Sequence, residues 1–119
     1  MINMTPACTH NCSDRPPVAA SPAQLEAAGA MFHALRDPAR LRLLVLLSQG
    51  ERCVTELVGF EQAKLGSISA RLKVLHAARL VKRRREAKHV FYALADEHVL
   101  TLLQSVLTHA AEHPEAASS

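Results

Sequence analysis

Tryptophan is absent, tyrosine occurs once and phenylalanine three times in 119 residues, although almost half of the chain is hydrophobic. The core must therefore be aliphatic, and a mainly helical packing is expected. Long apolar runs are missing too. The aliphatic run Leu43 to Leu47 is far too short to span a bilayer. No apolar stretch precedes a cleavage site in the first twenty residues, so no secretory signal is expected. Three cysteines form no even disulfide framework, which points to a reducing, cytoplasmic setting. Internal repeats are absent, and the length suits one domain. Excess charge is small at +3, so its distribution matters more than its sum.

Residues 1–20 are rich in Pro, Ala, Ser and Thr and lack periodicity, which predicts a flexible arm. That arm nevertheless carries Cys8, His10 and Cys12. A folded domain is expected over 21–113, with a small polar tail over 114–119. Ser21 and Pro22 are a helix start, and Leu25, Ala28, Met31, Phe32 and Leu35 form one stripe of the helix that follows. Asp37-Pro38 restarts the pattern. Leu41, Leu44 and Val45, widened by Leu43, Leu46 and Leu47, predict a central helix that Gly50 ends. Short helices are expected from about Val54 to Phe60 and from about Leu65 to Ala78, the second with Ile68, Leu72 and Leu75 inward. Val81 to Leu94 changes to a strand period around a polar turn, Glu86-Ala87-Lys88, and predicts a β-hairpin. A final helix runs from about Asp96 to His113 and stops at Pro114.

Positive charge is concentrated in one place. Arg71, Lys73, Arg79, Lys82, Arg83, Arg84, Arg85 and Lys88 face a single acid, Glu86, within that span. Such a stripe is the footprint of a nucleic-acid binder, because neutralising phosphates releases counterions. The two short helices before it fit a helix-turn-helix, whose second helix would enter the major groove of double-stranded DNA. Ser67, Ser69, Arg71 and Lys73 would reach base edges or phosphates from that helix. The hairpin would be a wing, with Arg83, Arg84, Arg85 and Lys88 on the flanking backbone. No amphipathic helix pairs this charge with large apolar residues, so a membrane surface is not the expected partner.

The last helix carries a second signal. His98 and His109 are eleven residues apart, about three turns, and so share a face; Glu112 lies one turn further. Asp96 stands at the entrance of the helix, near His98. Two imidazoles and two carboxylates are donors that zinc accepts. Along one helix, however, the histidines stand about 16 Å apart, so one ion cannot touch both. Two copies packed antiparallel about a two-fold axis would bring Asp96 and His98 of one chain to His109 and Glu112 of the other. The spacing thus predicts a homodimer with metal at its seam. His113 is close enough to Glu112 to compete as a ligand.

Over roughly residues 22–113 the chain resembles the ArsR/SmtB family of winged-helix metal-sensing repressors, in its zinc-sensing SmtB-like branch. The resemblance rests on Leu35-Arg36-Asp37-Pro38-Ala39-Arg40-Leu41-Arg42, on Glu51-Arg52-Cys53-Val54-Thr55-Glu56-Leu57, on Ser69-Ala70-Arg71-Leu72-Lys73-Val74-Leu75 and on His89-Val90-Phe91-Tyr92-Ala93-Leu94. Most specific is Asp96-x-His98-x10-His109-x2-Glu112. The resemblance implies a mainly α winged helix-turn-helix with a β-hairpin wing. It implies a homodimer that binds an inverted repeat when metal-free and leaves it when zinc binds, with cadmium, lead or cobalt as alternative inducers. In the family, the histidine matching His109 bonds through its other ring nitrogen toward the end of the recognition helix, here near the Arg79 carbonyl. It also implies a second, thiolate-rich metal site. Cys53 matches the first cysteine of a Cys-Val-Cys, Thr55 stands in place of the second, Glu56 adds an oxygen, and Cys8, His10 and Cys12 of the arm would complete it.

Rival readings make distinct demands. A thiol redox or persulfide sensor of the same fold would pair Cys53 with Cys8 or Cys12 and leave the last-helix donors dispensable. A metal carrier would need no basic stripe. A zinc hydrolase keeps an open coordination position, which two histidines and two carboxylates would close. No Ser/His/Asp set or Gly-rich phosphate loop is present either, so neither an enzyme nor a small organic substrate is expected.

Overall fold

The computed structural model describes residues 15–112. In chain order it has α1 (Pro22–Leu35), α2 (Pro38–Leu47), β1 (Arg52–Cys53), α3 (Val54–Glu61), α4 (Leu65–Ala77), β2 (Val81–Glu86), β3 (His89–Leu94) and α5 (Glu97–Glu112).

The helix starts are set by local chemistry. Ser21 and Gln24 form a reciprocal capping box at α1, with bonds of 3.1 and 2.8 Å. Asp37 Oδ2 accepts the Arg40 amide at 3.1 Å, and Pro38 occupies the first turn of α2. Arg40 in turn donates from Nε to the Ala34 carbonyl at 2.7 Å, which holds the end of α1 on the start of α2. Asp96 Oδ1 accepts the Val99 amide at 3.2 Å and caps α5.

The core is aliphatic, as the shortage of aromatics requires. Leu43, Leu44 and Leu47 of α2 meet Leu57 of α3 and Ile68, Leu72 and Leu75 of α4, and Leu80, Val81 and Tyr92 close the layer from the hairpin side. Of the α5 residues, only Val99 and Leu103 join them as buried, and neither is fully enclosed. The inward face of α4 and the central place of α2 are as the spacing predicts.

A small antiparallel sheet, ordered β1-β3-β2, completes the fold. β1 has no sequence signal: two residues are too few to show alternation, and their strand geometry comes from pairing Arg52 with Tyr92 and Cys53 with Phe91. The hairpin turn is tighter than expected. Glu86 pairs with His89, which leaves a two-residue turn at Ala87 and Lys88 with Ala87 at φ 57°.

The end of α4 carries backbone strain. The Leu80 amide reaches the Leu75 carbonyl and the Arg79 amide reaches the His76 carbonyl, both at 3.0 Å, with Arg79 in the left-handed region at φ 63°. This is a Schellman closure, in which that position is normally glycine. Arg79→Gly is expected to stabilise the fold by about 0.5–1 kcal/mol. Urea unfolding checks this, and a lower midpoint would refute it.

Candidate functional site

The helix pair and hairpin assemble as one unit. α3 packs on α4, and α4 on β2, so the basic residues of α4 and the wing belong to one rigid surface. On α4, Ile68, Leu72 and Leu75 point inward, leaving Ser67 and Lys73 exposed and Ser69 and Arg71 half-buried. In the hairpin, every residue from Lys82 to His89 is exposed.

The four predicted wing cations are not equivalent. Successive strand residues face opposite sides of a sheet. Arg83 and Arg85 share a side, while Arg84 lies on the other with its cross-strand partner Phe91. Arg84 Nε and Nη2 donate to the two carboxylate oxygens of Glu51 at 2.9 and 2.8 Å. Its Nη1 donates to Glu86 at 2.8 Å, and the guanidinium lies 4.5 Å from the Phe91 ring centroid. Glu51 and Phe91 stood in segments that carry the family resemblance, but the sequence assigned neither of them a role. The alternation along β2 was available to separate Arg84 from its neighbours, but Glu51 lies 33 positions away with nothing local to announce it.

The Arg84 hydrogen bonds hold the Glu51 carboxyl below its ordinary value, and Glu51 and Glu86 together push Arg84 up. A carboxylate favoured in the folded state contributes above its unfolded value, and that contribution is lost as pH falls through the lowered folded value. The link is therefore complete at neutral pH. A carboxyl-carbon NMR titration should place the Glu51 midpoint below the ordinary glutamate value; a midpoint at or above that value would contradict this.

Around Cys53, the Glu56 Oε1 accepts the Cys53 amide at 3.0 Å, and Glu56 Oε2 is 4.0 Å from Arg52 Nη1. Cys53 Sγ lies 3.0 Å from Thr55 Oγ1. Glu56 thus caps α3 while standing beside the thiol. Cys8, His10 and Cys12, together with His113, lie outside the described residues.

On α5 the donors fall into two pairs. Asp96 Oδ1 is 3.5 Å from His98 Nδ1 at the start of the helix, where the side chains are 56% and 97% exposed. His109 and Glu112 line a shallow polar hollow near the other end, with Gln104, Ser105 and Thr108. Among the described residues of one chain, no three metal-binding side chains converge. The donor set suits a tetrahedral ion only if a second copy joins the two pairs.

The apolar residues of α5 are partly covered: Val99 and Leu103 are buried in the core, while Val106 and Leu107 are 43% and 42% exposed. With α1 and α2 this helix forms a mainly apolar groove of about 230 Å³ whose lining includes Phe32, Leu35, Leu41, Leu44 and Val106, with Arg36 its one charged residue. Phe32 and Leu25 of the α1 stripe are 60% and 61% exposed, so two of its five residues are mostly uncovered within one chain. Among the described residues, no helix is long and apolar enough to cross a membrane.

A short strand, a helix pair and a two-stranded wing on a helical core define a winged helix-turn-helix protein. Residues 37–83 match the family described as bacterial regulatory protein, arsR family. The chain is 42% identical over 81 residues to a transcriptional repressor SmtB homolog of Synechocystis sp., covering 68% of this chain and 61% of that protein. It is 34% identical over 83 residues to a cadmium resistance transcriptional regulatory protein CadC homolog of Staphylococcus aureus, covering 69% of each. Its fold matches the solution structure of a homodimeric winged helix-turn-helix DNA-binding domain from Mycobacterium bovis with TM-score 0.74 at 34% identity. That match covers 82% of this chain and 93% of the other. The chain belongs to the arsR family. It matches less than two thirds of the length of the Synechocystis protein. These relatives are DNA-binding regulators rather than enzymes.

Proposed function

We propose that this chain is a metal-responsive transcriptional repressor of the cytoplasm. It binds operator DNA, an inverted repeat, as a metal-free homodimer and leaves it when zinc or a similar ion binds, so that genes for metal efflux or sequestration are expressed. The observation that carries this reading is the arrangement on α5. One side of the helix lines the mainly apolar groove, and its two ends carry the pairs Asp96–His98 and His109–Glu112. A second copy that covers the groove in antiparallel fashion would complete both four-donor sets at once. Bound there, the ion would supply a fixed cross-link between the two chains.

DNA contact is assigned to Ser67, Ser69, Arg71 and Lys73 on α4 and to the wing cations Arg83, Arg85 and Lys88. Release follows from linkage: whatever favours one form of the dimer over its DNA-bound form lowers DNA affinity by the same factor. The kinship with the cadmium resistance regulator supports metal as the class of inducer, and two imidazoles with two carboxylates favour zinc, with cobalt a useful probe. A thiolate site at Cys53 and Glu56 with Cys8, His10 and Cys12 is a second candidate for softer ions such as cadmium or lead.

The test is fluorescence anisotropy of a labelled inverted-repeat duplex titrated with the protein, with and without zinc. Tight, salt-dependent binding that zinc weakens supports the reading. No binding at low salt would overturn it.

A further inference from the structure

Charge counting along β2 treats Lys82, Arg83, Arg84 and Arg85 as one block. Their geometry does not. Arg84 alone is held by a two-pronged bond to Glu51 and a third bond to Glu86, with Phe91 beneath the guanidinium. Two carboxylates answer the Arg84 guanidinium, and Lys82 also acts on Glu51, so the cluster has no net positive charge with which to draw phosphate. To meet DNA, Arg84 would have to abandon a planar fork-to-fork pair, the strongest form of such a bond. Glu51 immediately precedes β1, and β1 leads directly into α3. Arg84 therefore ties the wing to the segment that launches the helix pair, across the intervening strand β3.

We propose that Arg84 is a positioning residue: it holds the wing at a set distance from α4 and does not contact DNA, leaving Arg83, Arg85 and Lys88 to meet the phosphates. This rests on the DNA-binding reading above for its functional consequence, but not for the clamp itself.

Two variants separate positioning from contact by the sign of their effects. Glu51→Gln removes a negative charge close to the DNA-facing surface. If Arg84 were a phosphate contact, freeing it would tighten binding to the inverted-repeat duplex and steepen the log–log salt dependence by about 0.9. If Arg84 positions the wing, the same variant binds about two- to fivefold more weakly despite its higher positive charge. Arg84→Lys keeps the charge and loses the fork, so a contact would survive it while a clamp would not. Hydrogen exchange on the free protein gives a reading that needs no DNA. Faster exchange in 81–94 with α4 unchanged is expected in both variants.

Weaker DNA binding by both, with faster wing exchange, upholds the proposal. Tighter binding by Glu51→Gln, or unchanged wing exchange, overturns it. Were the unaltered protein to bind no duplex, the repressor reading would fall, and wing exchange alone would decide whether the clamp exists.

Discussion

The double variant His98→Ala/His109→Ala is expected to bind operator DNA equally with and without zinc, whereas the unaltered protein loses about 5- to 150-fold in affinity when zinc is added, the usual range of coupling between two sites. Each α5 helix offers one imidazole and one carboxylate at each end, so a complete site draws half its donors from either chain. Removing His98 and His109 takes one imidazole from each end and leaves only carboxylates, which suit harder ions than zinc. His98 is almost fully exposed in one chain, so its loss removes no packing. The readout is the ratio of anisotropy-derived affinities with and without metal for each protein. If the variant still responds, the signal passes through Cys53 and the thiols of the arm, and cadmium or lead should then act more strongly than zinc.

Phe32→Glu is expected to convert the proposed dimer to a monomer and to weaken operator binding by about 100-fold or more, because two half-sites are then no longer engaged together. Phe32 lies at the mouth of the groove formed by α1, α2 and α5 and is 60% exposed in one chain. Burying a phenylalanine contributes about 1.5–3 kcal/mol, and the symmetric interface would bury two. A carboxylate there would have to enter a seam that is apolar but for Arg36, and the desolvation left uncompensated adds to the lost contact. The single chain should tolerate the change, since the side chain contributes little to its own core. Sedimentation velocity reads the assembly and circular dichroism the fold. A folded Phe32→Glu dimer would place the interface elsewhere and remove the basis for a shared metal site.

These two results depend on different kinds of information. The caps at Ser21, Asp37 and Asp96 act within a few residues, as does the inward spacing of Ile68, Leu72 and Leu75. Each is a local rule, which is why all five helices and the hairpin were legible to within a few residues. The placement of His98, His109 and Glu112 along α5 was legible for the same reason, since a helix converts spacing into direction. The class of protein follows from these elements taken in order.

The rest required residues far apart in the chain. β1 is a strand only because β3 lies beside it, and two residues carry no period of their own. The α1 stripe reads alike whether its own core or a second chain covers it, and only the packed chain shows Leu25 and Phe32 left outside. Likewise, four adjacent wing cations look alike until Glu51 is placed 2.8 Å from Arg84. Helix caps and spacing act through short stretches of backbone, so they are written in the order of residues. Pairing, covering and long-range ion bonds depend on which surfaces meet, and that is decided only when the chain has packed.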